Sequence, residues 1–116
     1  MDRKDCGAVT KDTAKNKLDA IVGARCRALG YCQKCEGSQD LEWAHIVTRR
    51  YHSVRWLYEN YLCLCSTCHK WGHENQKLFN AWFDSTFLGR RKVINMALQK
   101  GEKWDALRMV KLLATL

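Results

Sequence analysis

Residues 62–73 read Leu-Cys-Leu-Cys-Ser-Thr-Cys-His-Lys-Trp-Gly-His, and three signals overlap in them. Leu62 to Cys65 is a short apolar run with the character of a strand. Ser66 or Thr67 can cap a helix that starts directly after it, and Cys65 and Cys68 form a Cys-x-x-Cys knuckle on the joint between the two. His69 and His73 follow at i, i+4, which puts both imidazoles on one helix face within reach of a single cation.

Working upstream, a second knuckle, Cys32-Gln-Lys-Cys35, lies in a turn-rich segment. Two such pairs supply the four thiolates of a closed, tetrahedral, structural Zn²⁺ site, so Cys32, Cys35, Cys65 and Cys68 are the expected ligands. Residues 36–64 then form an insertion that the metal staples at its base. Within the insertion, Leu-Glu-Trp-Ala-His-Ile-Val at 41–47 is a second short apolar stretch of strand type that carries His45. Between the strands, Arg49, Arg50 and Arg55 alternate with Tyr51, Trp56, Tyr58 and Tyr61. Guanidinium groups bind phosphate bidentately and aromatic rings can support them. The plainer reading is a solvated basic loop with Trp56 and Tyr61 tucked into the core.

The flanks read as helices. Leu18, Ile21, Val22, Cys26 and Leu29 recur at helical spacing, with Asp12 as N-cap and Gly30 as stop, so a helix is expected over 12–30 after a flexible tail at 1–11. Leu78, Phe79, Trp82, Phe83 and Phe87 repeat with the same period up to Gly89, and Trp104, Leu107, Val110 and Leu113 mark a last helix, so 76–116 is expected to be helical. Cys26 and Cys63 fall on apolar faces and read as structural, while Cys6 has no assignable role. Arg90-Arg91-Lys92 is a second basic patch.

The chain of 116 residues has no repeat, no Pro and no linker, so one domain is expected over 1–116. With 47% hydrophobic and 28% charged residues it belongs to the globular class. Twenty Lys and Arg against twelve Asp and Glu give +8, which favours a polyanionic partner: nucleic acid first, an anionic membrane surface second. No stretch approaches the roughly 20 apolar residues of a spanning helix, and no secretory signal is visible. An odd seven cysteines without such a signal point to thiolates in a reducing cytoplasm rather than to a disulfide framework.

Taken together, Cys32-Gln-Lys-Cys35, Glu42-Trp-Ala-His45-Ile46, Asn60 and Leu64-Cys65-Ser-Thr-Cys68-His69-Lys-Trp-Gly-His73 resemble the zinc-stapled HNH, or ββα-metal, endonucleases, and in particular the small members common in bacteriophages and prophages. The resemblance covers residues 31–75. It implies an α+β fold, a small and mainly helical domain built around a ββα-metal motif with a four-cysteine structural zinc site. It assigns His45 as the general base, Asn60 as the brace of the loop and the base, and His69 and His73 as ligands of a catalytic divalent cation: Mg²⁺, Mn²⁺, Ni²⁺ or Zn²⁺. The spacings of His45, Asn60, His69 and His73 agree with those of the colicin-type nucleases. One position departs, since the family frequently has a metal-binding Asp or His directly before the base and this chain has Ala44. Glu42, on the same strand face by period-two alternation, or His52 are the candidate substitutes.

The implied activity is metal-dependent hydrolysis of DNA phosphodiesters by an endonuclease or nickase, leaving 5′-phosphate and 3′-hydroxyl ends. Two alternatives stand beside it: a zinc-stapled DNA-binding or assembly module whose nuclease site has degenerated, and a recombination nuclease acting on branched DNA. A phage packaging or recombination protein is an expected partner, and the host cytoplasm the expected location. A single site nicks one strand, so a double-strand break would take a dimer or two encounters.

Overall fold

Leu41–His45 (β1) and Tyr61–Cys65 (β2) pair antiparallel, with Glu42 opposite Leu64, Ala44 opposite Leu62 and His45 opposite Tyr61. Because side chains alternate across a strand, this register gives the hairpin two faces with different partners. Ala44, Leu62 and Leu64 pack with Val54, Phe79, Phe83, Ile94 and Cys32. Trp43 and Tyr61, on the other face, join Ala14, Leu18, Val22, Trp56 and Met109. The computed structural model describes residues 10–116; the expected tail falls largely outside them, as does Cys6.

Helix α1 spans Lys11–Arg27. Its cap is Thr10, whose hydroxyl accepts from the Thr13 amide at 3.1 Å, so the cap lies two residues before the expected Asp12. Ala14, Leu18, Val22 and Cys26 form its buried face, whereas Ile21 and Leu29 of the apolar pattern are exposed. A Cβ at Gly23 would lie 3.2 Å from the Trp43 ring, so the helix backbone packs directly on the sheet there. The helix ends before Gly30, which sits at φ +87°, a conformation glycine adopts without steric cost.

A one-turn helix, α2 (His52–Arg55), and a 3-10 turn at Tyr58–Asn60 fill the connection between the strands. Helix α3 (Ser66–Glu74) follows β2 without a break. Its cap is neither Ser66 nor Thr67 but Cys65, whose Sγ accepts from the Cys68 amide at 3.4 Å, because the thiol already occupies the acceptor position. Helices α4 (Gln76–Thr86), α5 (Arg90–Gln99) and α6 (Ala106–Thr115) complete the chain. The architecture is α+β, as expected, with helices dominating over a two-stranded sheet.

Periodicity alone does not separate α5 from the basic run that opens it. Gly89 at φ +88° breaks α4 from α5, and fully buried Ile94 anchors α5 in the core. Helices α1 and α6 pack together, with α1 also against the sheet, and α3 lies against both strands and α4. Among the described residues no helix is long and apolar enough to cross a membrane.

Candidate metal and phosphate site

The four knuckle cysteines converge. The sulfurs of Cys32, Cys35, Cys65 and Cys68 all lie within 4.8 Å of one another, and Cys35 and Cys65 Sγ are 3.7 Å apart. Zn–S bonds of about 2.3 Å in a tetrahedron place sulfurs about 3.8 Å apart, so the cluster fits a structural ion such as zinc. Backbone amides of Lys34, Gly37 and Cys68 each donate to a sulfur at 3.4 Å. Burial pushes the Cys32 thiol up, but backbone amides outweigh it and bring the group down to about 6. Cys68, half-buried and crowded by the other sulfurs, is pushed up instead. The Cys32 and Cys68 thiols are thus driven in opposite directions within one small space, a conflict that a bound cation removes.

Beside this staple, at the end of β1, a cleft of about 550 Å³ is lined by His45, His69 and His73, with Thr48, Arg49 and Asn80 among its other walls. The three histidines singled out in the sequence therefore meet in one cavity. They arrive from different sides: His45 alternates onto the Trp43 face of the sheet, 4.4 Å between ring centroids, while His69 and His73 stand on α3 with their rings 4.9 Å apart.

His45 Nε2 lies 2.9 Å from the backbone carbonyl of Arg55. A carbonyl only accepts, so Nε2 carries the hydrogen and Nδ1 of the neutral ring keeps its lone pair. Burial is the largest influence on this group and drives its pKa down to about 4. The Arg55 carbonyl and Asp19 oppose the fall, and the Arg49 and Arg55 charges assist it. The ring is therefore neutral at pH 7.

Asn60, fully buried, holds the loop that supplies this carbonyl. Its Oδ1 accepts from the Val47 amide at 2.8 Å, and its Nδ2 donates to the carbonyls of Val47 at 2.9 Å and Val54 at 3.0 Å. All three bonds satisfy groups that would be costly to bury alone.

Glu42 does not stand free beside Ala44. Its Oε1 lies 2.7 Å from His69 Nδ1, an arrangement that leaves His69 Nε2 for a ligand and matches the carboxylate–histidine pairing seen behind metal-bound imidazoles. Ala44 itself is 2% exposed and packed among apolar side chains, so no ligand comes from that position. His52 is elsewhere: its ring stacks on Trp56 at 5.6 Å and lines a separate cleft with Lys11, Arg50 and Trp104. Among the described residues the four cysteines are the only group of three or more His, Cys, Asp or Glu whose ligand atoms cluster closely enough to hold a metal unaided.

The three loop arginines divide. Arg49 and Arg50 are exposed, and Arg49 borders the histidine cleft. Arg55 is 9% exposed and cannot face a duplex, because Asp19 of α1 grips it: Nε to Oδ1 at 2.9 Å and Nη2 to Oδ2 at 2.6 Å. Burial pushes the Asp19 carboxyl up, yet donors from Arg55 and Trp56 outweigh it and hold the group below its ordinary value. Sequence reasoning misses Asp19, whose only local signal is its place beside the buried stripe of α1. The second basic patch is also largely engaged in packing. Arg91 binds Asp84 and Asn80, and Arg90 lies over the rings of Tyr58 and Phe87; only Lys92 of the three is exposed.

Comparison with protein-family models, with curated proteins and with solved structures finds no match for this chain.

Proposed function

We propose that the chain is a metal-dependent endonuclease of the HNH type that hydrolyses DNA phosphodiesters at the cleft of His45, His69 and His73. The observation that carries this reading is the Arg55 carbonyl on His45 Nε2, which leaves a neutral imidazole with a free acceptor nitrogen in the same cavity as a histidine pair on α3. A general base needs that protonation state at working pH.

In this reading His69 and His73 hold the divalent cation, His69 with Glu42 behind it. A cation held there would supply positive charge that stabilises the phosphorus centre and the leaving oxygen. His45 Nδ1 takes a proton from the water that attacks phosphorus. The P–O3′ bond breaks, the leaving 3′-oxygen takes a proton from solvent water, and the products are a 5′-phosphate and a 3′-hydroxyl. Arg49 and Arg50 hold flanking phosphates and position the strand without reading bases. Asn60 keeps the loop and its carbonyls in place throughout. Zinc in the cysteine cage has no part in the chemistry and holds the hairpin to the knuckle loop.

A DNA-binding module with a degenerate site is the second reading, favoured by the buried Ala44 and by the histidine cleft holding, among the described residues, no group of three His, Cys, Asp or Glu ligand atoms clustered as the cysteine sulfurs are. Purified protein incubated with supercoiled plasmid and Mg²⁺, Mn²⁺ or Ni²⁺ separates the two. The nuclease reading expects nicking that His45→Ala lowers by about 100-fold or more. DNA binding without cleavage in any of the three metals would favour the module, and equal nicking by wild type and variant would remove His45 from the chemistry.

A further inference from the structure

The peptide whose carbonyl orients His45 joins Arg55 to Trp56, and the side chains on both sides of it end on one carboxylate. Asp19 Oδ1 accepts from Arg55 Nε at 2.9 Å and from Trp56 Nε1 at 2.9 Å, while Oδ2 accepts from Arg55 Nη2 at 2.6 Å. The remaining guanidinium arm, Nη1, donates to the Arg49 carbonyl at 3.0 Å and ties in the start of the loop. Asn60 stops one residue short, on the Val54 carbonyl. The N–H of the peptide after Arg55, that of Trp56, also turns back to the Val54 carbonyl, while the side chains on both sides of that peptide are held by Asp19, which comes from α1 and so from outside the hairpin and α3.

We propose that Asp19 is a positioning residue for His45: by anchoring Arg55 and Trp56 together it fixes the Arg55 carbonyl, and with it the Nε2–H tautomer of the base. The inference rests on the reading of His45 as general base. It gives Arg55, expected from sequence to bind DNA, a different task. Arg55 is buried and Asp19 half-buried, so the pair carries a desolvation cost that apolar residues of similar volume would avoid; what it adds is direction, since a planar guanidinium held at two oxygens has one orientation. An imidazole whose partner carbonyl can swing away has both tautomers open to it, and one of the two places the hydrogen on the nitrogen that must accept.

The test uses zinc-loaded wild type, Asp19→Ala, Asp19→Asn and a control, Val22→Ala, which weakens the α1 core without touching the clamp. Long-range ¹H–¹⁵N spectra near pH 7 report the His45 tautomer directly. Wild type and Val22→Ala are expected to show the Nε2–H form alone, and the Asp19 variants a mixture. Single-turnover cleavage by Asp19→Ala is expected to fall about 10- to 100-fold at saturating DNA, the scale of a misplaced catalytic group, with KM within about twofold of wild type. Should Asp19→Ala fail to fold, the near-isosteric Asp19→Asn carries both readouts. A folded Asp19 variant that keeps His45 wholly in the Nε2–H form overturns the proposal. A wild type that cleaves nothing would count against the nuclease reading alone, because the tautomer shift decides the clamp without activity.

Discussion

His45 is neutral because it is buried beside cations, and that has a consequence for pH. Its folded pKa of about 4 lies below the ordinary 6.5, so the unfolded chain binds a proton that the folded one refuses. The stability this group contributes is complete above pH 6.5 and is lost as pH falls toward 4. Arg49, Arg55 and Asp19 are the charges that bear on the ring. In zinc-loaded protein with no other divalent cation added, an NMR titration of the His45 ring should find its midpoint near 4, and a midpoint at 6.5 would mean the ring is solvated and mobile. The Glu42–His69 contact of 2.7 Å makes a second prediction. Glu42→Gln keeps the shape but weakens the acceptor, and Mn²⁺ affinity measured by calorimetry should drop about 10- to 100-fold. Unchanged affinity would make the contact incidental to metal binding.

The knuckle loop, β2 and α3 form one mechanical unit, since Cys32 and Cys35 come from the loop and Cys65 and Cys68 from the joint of β2 and α3. Structural zinc binding in such sites is worth about 10–16 kcal/mol, as much as the whole stability of an ordinary domain, about 5–15 kcal/mol. A strong chelator should therefore abolish the cooperative thermal transition, with zinc released at about one equivalent per chain. A transition that survives complete zinc removal would show that the apolar clusters suffice alone. Downstream, Gly72 sits against Phe79, where an added Cβ would approach its Cδ1 to 2.8 Å. That contact sets the close turn from α3 into α4, beside the histidine cleft that Gly72 and Phe79 also line.

Over the whole molecule, a charge of +8 and the exposed Arg49 and Arg50 predict DNA affinity that falls steeply with salt. Each neutralised phosphate contributes a slope of about −0.9 in log K against log salt, so Arg49→Ala with Arg50→Ala should flatten the slope by about 1.8. No change in slope would take both residues out of the interface. How much of this is legible in the chain follows from range. The two Cys-x-x-Cys pairs and the i, i+4 histidines are local codes, and the structure brings each set together. Period-two alternation puts Glu42 and Ala44 on one face, but only the folded chain shows Glu42 bound to His69. Asp19 and Arg55 lie far apart in sequence, so a guanidinium paired in the core and one free for phosphate look alike before folding. Helix α5 lies within the 76–116 span expected to be helical, but its own bounds are not legible, because its first turn is basic and its single buried anchor, Ile94, gives no periodicity. The claim on which the rest stands is that one divalent cation sits on His69 and His73 within the cleft that His45 also lines, and Mn²⁺ added in small amounts to the zinc-loaded protein tests it through paramagnetic broadening of assigned ring signals. We expect the signals of His69 and His73 to broaden first, His45 with them, and His52 to stay sharp; broadening confined to surface carboxylates, or equal at all four histidines, would contradict a shared site.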